Sequence, residues 1–390
     1  MYLQAEYLEV NWAKHVYSIG NDNEKLQCMN RMENAFMVSI RPFEDDDNSQ
    51  MLEIEKLCPQ GDENCALGVD KTDITARYRM YDNWEMMVAK EAERIAGWAG
   101  LTLKQNRSRD RKYAYLPEVM VHPDFRRSGV ATMLVKEAEK KAKDMGSDYI
   151  YCYIYGPNRA SKSLFEGLGY SDMIAVKSPE ILTYKKADIS PKVSIKQVDK
   201  GEISTVVSLI NDYNKGRMHF VPYTAESFQF HAGKIPGYGL ENFWIARTDE
   251  GDIAACAGLW DCSAMGDWYY AREPLVWKIL GGLFGVLNHL ARMPKITAEG
   301  EHFRLSYIAD HAFRPTAPEA MSELIGHFNN ISLEADKWCI FSLLDPQDHI
   351  IDLMKKFKPQ MEAWHVYAKS FEGALPQFNP FYVDIRDTVL

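Results

Sequence analysis

The sequence predicts an α+β protein built as two tandem copies of one unit, on three observations. The chain has 390 residues, more than one ordinary hydrophobic core serves, so two or three domains are expected. Segments with strand periodicity alternate with segments of helical periodicity along it. Four such segments recur in the same order in the two halves, which chance does not readily produce.

Residues 1–35 read as a helical N-terminal extension. "MVSIRPFEDDDNSQMLEIEKLC" (37–58) then reads as a strand, an acidic turn and an amphipathic helix, and "VSIKQVDKGEISTVVSLINDYN" (193–214) repeats that order. "WEMMVAKEAERIAGWAGLTL" (84–103) is a hairpin of two apolar runs around a charged turn, echoed by "NFWIARTDEGDIAACAGLWD" (242–261). "SDYIYCYIYGPNRASKSLFEGLGY" (147–170) is a strand, a break at Pro157, a helix and a closing glycine. Its counterpart, "DKWCIFSLLDPQDHIIDLMKKFKP" (336–359), breaks at Pro346. The first unit is expected over 36–186 and the second over 193–390, joined near "KKADISPKVS" (185–194).

The bulk numbers exclude some functions. A net charge of -10 argues against a general nucleic-acid binder, which needs a basic face, and suits cationic small molecules or basic peptides. The N-terminus lacks a basic stretch followed by an apolar run, so no secretory signal is expected. The most apolar window, "LVWKILGGLFGVLNHLA" (275–291), carries Lys278 and His289 and is short for a membrane span, so it reads as an amphipathic or buried helix. Seven cysteines form no tight framework. Cys58 and Cys65 would suit a bridge or half a metal site, but no second pair has matching spacing, and reduced thiols in a cytoplasmic protein are the better reading.

The two copies differ in one stretch. "VMVHPDFRRSGVATML" (119–134) runs from strand to glycine-bearing loop to helix start. The first N–H groups of a helix are unpaired and carry partial positive charge, so this is a ready site for phosphate. Gly129 lets backbone approach a bulky anion, and Arg126 and Arg127 add charge. In the second copy Gly129 is matched by Ala317 and Val130 by Pro318, which has no N–H to donate. One cofactor site is therefore expected, in the first half. No Walker-type or dinucleotide-binding glycine pattern accompanies it.

"VHPDFRRSGVA" resembles the signature of the GNAT superfamily of N-acetyltransferases, with Arg126, Gly129 and Ala131 at the signature positions. "NRASKSLFEGLGY" is similar to the second motif of that family, at the family's spacing. The likeness covers 37–186 well and 193–390 loosely; overall the chain resembles the plant Hookless-type acetyltransferases, including a tail like "FYVDIRD" (381–387). The resemblance implies two GNAT-like domains, each a mixed, mostly antiparallel sheet flanked by helices, the second without an intact pyrophosphate loop. It implies acetyl-CoA as cofactor, its pantetheine arm held by backbone of Met120 and Val121 and by Asn158. Its pyrophosphate would rest on N–H groups of Arg127, Ser128, Gly129, Val130 and Ala131.

The implied reaction is direct attack of an amine on the thioester, which needs a proton acceptor. Glu118, in "YLPEVMV", stands where family members carry a carboxylate, and partial burial would raise its pKa. It would equally serve only to bind a cationic substrate. The tyrosine that protonates the leaving thiolate in the family is matched by Phe165, which has no proton to give; Tyr153 or Tyr155 would have to substitute, or the thiolate leaves unaided. Among the other features, the basic loop "NRSRDRK" (106–112) reads as solvated or as a contact for an anionic acceptor. "EDDD" (44–47) reads as a lure for cations or a helix cap, His122 as structural, and "DWYYAREPLVW" (267–277) as an acceptor wall or core. The expected function is an acetyl-CoA-dependent N-acetyltransferase acting on a primary amine of a small molecule or peptide. It would be a monomer or homodimer with neither nucleic-acid nor membrane partners. The alternative is an acyl-CoA-binding sensor or scaffold with little or no turnover.

Overall fold

The acidic turn of the first repeat is a helix cap. The Asp47 carboxylate accepts from Arg41 Nη2 (2.6 Å) and from the Glu44 N–H (2.9 Å), closing a capping box ahead of the first helix. The computed structural model describes residues 38–106, 111–275, 277–279, 295 and 297–388. The expected N-terminal extension, the middle of the basic loop and most of the apolar window 275–291 lie outside the described residues.

The first half runs β1 (Val38–Pro42), α1 (Asn48–Lys56), β2 (Gln60–Gly61), β3 (Ala66–Asp70), β4 (Trp84–Glu91), β5 (Arg94–Asn106) and β6 (Arg111–Tyr115). It continues through β7 (Val119–Val121), α2 (Val130–Asp144), β8 (Tyr149–Tyr155), α3 (Arg159–Gly167) and β9 (Ser171–Leu182). The second half opens with β10 (Ser194–Gln197), α4 (Ile203–Tyr213), α5 (Ala225–Gly233), β11 (Phe243–Arg247), β12 (Ile253–Asp261) and β13 (Asp267–Arg272). It closes with β14 (His302–Phe303), β15 (Leu305–Phe313), α6 (Pro318–Glu334), β16 (Cys339–Phe341), α7 (Ile350–Met354) and β17 (Gln360–Ser370). Each of the repeated segments thus forms the same elements in both halves.

The tandem α+β arrangement carries a feature that local patterns do not announce: the two sheets are one. Its 13 strands lie in the order β1-β4-β5-β6-β8-β17-β9-β16-β15-β12-β11-β10, with β7 paired to β5. Among the described strands, only β6–β8 and β15–β16 pair in parallel. β17, from the end of the second half, is inserted between β8 and β9 of the first. β9, from the end of the first half, pairs in turn with β16 of the second. Each half is completed by the other's last strand. A second, four-stranded sheet, β14-β13-β3-β2, knits the halves again by pairing β13 with β3. The aromatic run at 267–277 therefore belongs largely to packing: Trp268 and Tyr270 are buried, and Tyr270 lies against Phe303.

On one face, α2 and α3 cover Ile150 and Ile154 of β8 with Leu134, Val135, Ala138 and Phe165. On the other, Tyr113, Tyr115, Tyr149 and Tyr151 pack into a core shared by both halves. Into that core runs the tail that follows β17. Asp387 Oδ1 accepts from Tyr81 OH and Lys104 Nζ, both 2.7 Å, and Oδ2 from Tyr151 OH at 2.7 Å. Its carbonyl accepts from Tyr115 OH (2.9 Å) and Arg77 Nη2 (3.2 Å). Asp384 holds Arg386 at 2.6 Å and lies 3.2 Å from Lys104 Nζ. First-half side chains thus clamp the last described residues of the second half.

Candidate cofactor and active site

The loop behind β7 is shaped by two left-handed residues, Arg127 at φ +63 and Gly129 at φ +92. Gly129 is the N-cap of α2, where no side chain caps the helix. The N–H groups of Val130, Ala131 and Thr132 therefore face outward as unsatisfied donors at the positive end of the helix dipole. A Cβ added at Gly129 would meet nothing within 4 Å, so the space before these donors is open. Buried Val130 and Leu134 fix the helix end, and Ser128 Oγ donates to the Phe125 carbonyl (2.6 Å) inside the loop. His122 is structural: its Nδ1 accepts from the Asp124 N–H at 3.1 Å.

Arg126 departs from its expected place. Its Nε donates to the Val121 carbonyl (3.3 Å) and its Nη2 to Cys58 Sγ (3.1 Å), so the guanidinium lies back along the strand end. Arg127 is the neighbouring exposed cation. In the second half, Ala317 at φ -141 is buried, Pro318 opens α6, and the Ala320 N–H is taken by the Ala317 carbonyl at 3.2 Å. That helix start therefore lacks one donor at Pro318, has another taken at Ala320, and meets a buried side chain at Ala317.

β6 pairs with β8 through Tyr115–Tyr151, and Leu116 N–H still bonds to the Tyr151 carbonyl (2.9 Å). Beyond Pro117 the chain follows β5 alone as β7, while β8 follows β17, so the two strands part. The His122 N–H bonds to Ala96 and the Glu118 carbonyl accepts from Gly100. Antiparallel alternation then turns Met120 backbone groups toward β5 and those of Val119 and Val121 toward the gap. This corrects the expectation for Met120 and adds Val119 to the gap. The Cβ built at Gly97 would fall 2.4 Å from the Met120 carbonyl, so only glycine permits this close pairing.

Glu118 stands at the start of the gap. Its Oε1 accepts from Tyr78 OH (2.8 Å) and Trp98 Nε1 (2.9 Å), and Lys71 Nζ lies 4.0 Å from Oε2. Burial alone would raise its pKa, but Lys71, Arg77 and the two hydrogen bonds hold it below the ordinary value. The expected upward shift is reversed because the carboxylate has four partners rather than an apolar pocket. Glu55 takes the opposite course: burial pushes its carboxyl up, although Lys71 lies 2.5 Å away. Sequence reading missed Lys71, Arg77, Tyr78 and Trp98 as a group because they come from three separate segments. The Tyr-rich run "RYRMYDNW" (77–84) was their one visible sign.

At the gap's far end Asn158 caps α3, its Oδ1 accepting from the Ser161 N–H at 3.1 Å. Phe165 is buried edge-on against Tyr170. Tyr155 OH donates to Glu362 Oε2 (3.2 Å), whereas Tyr153 OH is buried with no partner among the described residues. Burial raises both phenols. Beside them Glu180 is pushed up to about 8 by burial and by the Glu362 charge. Cys58 and Cys65 are free thiols, and the described residues contain no metal-binding cluster.

Residues 49–170 match the acetyltransferase (GNAT) family model. No curated protein matches the chain. Among solved structures, a tandem GNAT protein from the clavulanic acid biosynthesis pathway superposes with TM-score 0.57 at 12% identity, covering 86% of this chain and 99% of that one. A GCN5-related N-acetyltransferase from Sphaerobacter thermophilus gives 0.55 at 14%, covering 90% and 98%. The glucosamine N-acetyltransferase region of a fungal multi-domain β-N-acetylglucosaminidase gives 0.58 at 14%; the chain is covered to 85% but spans only 38% of that protein. Saccharomyces cerevisiae N-myristoyltransferase with bound myristoyl-CoA gives 0.56 at 10%. No described helix is long and apolar enough to cross a membrane. The chain therefore has the tandem GNAT fold, with an acetyltransferase (GNAT) family domain over residues 49–170.

Proposed function

We propose that the chain is an acetyl-CoA-dependent N-acetyltransferase acting on a primary amine of a small molecule or peptide. In this reading residues 36–186 hold the cofactor, and residues 193–390 complete the sheet and wall the acceptor side. The observation that carries it is the uncapped start of α2 behind Gly129, with open space before it, beside strands that part. The donor set fits a diphosphate: N–H groups from Arg127 to Ala131, with Arg127 adding charge. Val119 and the N–H of Val121, whose carbonyl already accepts from Arg126 Nε, present backbone to an extended amide-bearing arm, and Asn158 faces it from the cap of α3. Bound there, acetyl-CoA would supply the acetyl thioester that the amine attacks.

Glu118, kept ionised by Lys71 and Arg77, draws the acceptor amine to the start of the gap and takes its proton at Oε2. Of the two tyrosines, Tyr153 is the one whose hydroxyl has no partner among the described residues and so has a proton free for the leaving sulfur, Tyr155 OH being bonded to Glu362. A cytoplasmic location and the likeness to the Hookless-type enzymes, carried by "FYVDIRD", belong to this reading. A second reading, an acyl-CoA-binding sensor with little turnover, is favoured by Phe165 buried where the family places a tyrosine. Thiol release from acetyl-CoA across an amine panel separates them: amine-dependent release supports the transferase. Cofactor-induced thermal stabilisation without release supports the sensor.

A further inference from the structure

The second half has a gap of its own. β15 pairs with β16 over Leu305–Tyr307 and then follows β12 to Phe313. The chain beyond β16 turns to β9 instead, where Leu344 exchanges hydrogen bonds with Lys177. At the mouth of this divergence lies a cavity of about 680 Å³, roofed by α4. Leu209, Ile253 and Phe313 give it an apolar wall.

Its lining is richer in cations than the molecule as a whole. The chain carries -10, whereas Lys215, Arg217 and Arg314 line the cavity against Asp212 and Asp345, with Arg314 Nη1 3.5 Å from Asp252 at the exposed rim. Asp345 is already committed, its Oδ1 accepting from the Gln347 N–H (2.8 Å) and its Oδ2 from the Phe381 N–H (2.7 Å). Arg217 is preset: Asp348 holds Nη1 at 2.8 Å, and its guanidinium lies 5.2 Å from the centre of the Tyr213 ring. Asp348 is itself fixed by Tyr213 OH (2.5 Å) and His311 Nε2 (3.1 Å). A guanidinium held in this way loses little freedom when it meets a second anion. A coenzyme diphosphate suits the place poorly, because Pro318 has no N–H to give, the Ala320 N–H is already bonded, and a buried Ala317 side chain stands where Gly129 leaves open space.

We infer that this cleft binds a small organic anion, an apolar body bearing one carboxylate or phosphate, at a site separate from the α2 loop. The inference stands whether or not the first half turns over acetyl-CoA. The test is fluorescence titration of the full chain with anilinonaphthalene sulfonate, an amphipathic anion. One saturable site is expected, displaced by phenylbutyrate or phenyl phosphate, whichever head group fits, and not by acetyl-CoA. The paired charge reversal Lys215→Glu with Arg314→Glu alters two exposed side chains and should fold normally. It should weaken the dye by about tenfold or more, the effect of about 1.4 kcal/mol, while leaving acetyl-CoA affinity unchanged. Wild-type dye affinity in that variant, displacement by acetyl-CoA, or no displacement by either organic anion overturns the inference.

Discussion

Replacing Asp387 by alanine tests how firmly the tail ties the halves together. The Asp387 carboxylate is 1% exposed and accepts from Lys104 Nζ, Tyr81 OH and Tyr151 OH, each at 2.7 Å. Removing one partner of a buried ion pair costs about 3–5 kcal/mol, and each hydroxyl left unpaired adds about 1–3 kcal/mol. Asp384, 3.2 Å from Lys104, stays and recovers part of the charge term. The low ends of these ranges sum to about 5 kcal/mol, so with part of the charge term recovered a net loss of about 4 kcal/mol or more is expected, a large share of the roughly 5–15 kcal/mol by which native proteins are stable. Urea unfolding followed by tryptophan fluorescence measures it, and the loss should change little with added salt because the pair is buried. Asp387→Asn, which keeps one acceptor oxygen, should lose about half as much. An Asp387→Ala protein within about 1 kcal/mol of wild type would refute the claim that this cluster fastens the tail.

Other substitutions address the site. Glu118→Gln should slow turnover by about a hundredfold with cofactor affinity nearly unchanged; an unaltered rate across pH removes Glu118 from the chemistry. Because the Glu118 carboxyl lies below its ordinary value, kcat/KM should show no acid limb from this group between about pH 6 and 8. Glu180 gives a stability prediction of opposite sign. Its folded pKa, about 8, lies above the ordinary 4.5, so the folded state binds the extra proton and stability falls as pH rises from 4.5 toward 8. Glu180→Gln should flatten that slope and exceed wild type in urea midpoint at alkaline pH; a slope that persists contradicts the assignment. Gly129→Val adds a side chain to open space at φ +92. Calorimetry should therefore find a modest stability loss of about 1–2 kcal/mol and a far larger loss of coenzyme A affinity.

Much of the first half was legible because its signals are local. Periodicity marked β1–α1, β4–β5 and β8–α3, and Gly129 between strand and helix marked a helix start that no side chain caps. The exchange of β9 and β17 was not legible, because strand partners so far apart in sequence leave no local pattern. The Glu118 pKa was misjudged for the same reason: Lys71, Arg77, Tyr78 and Trp98 converge on it only through the fold. Arg126 shows the limit of spacing alone. Its position in the loop matched a phosphate ligand, yet Cys58 and the Val121 carbonyl hold it elsewhere. "FYVDIRD" is legible as a tail motif, but nothing local in it marks the residues that close upon it, Arg77, Tyr81, Lys104 and Tyr151, which lie more than two hundred residues away.

The most direct test is a crystal structure of the chain soaked with coenzyme A. The account predicts diphosphate density within hydrogen-bond reach of the Val130, Ala131 and Thr132 N–H groups, with the arm running along Val119 and Val121. Density beside Ala317 and Pro318, with the α2 loop empty, would contradict it.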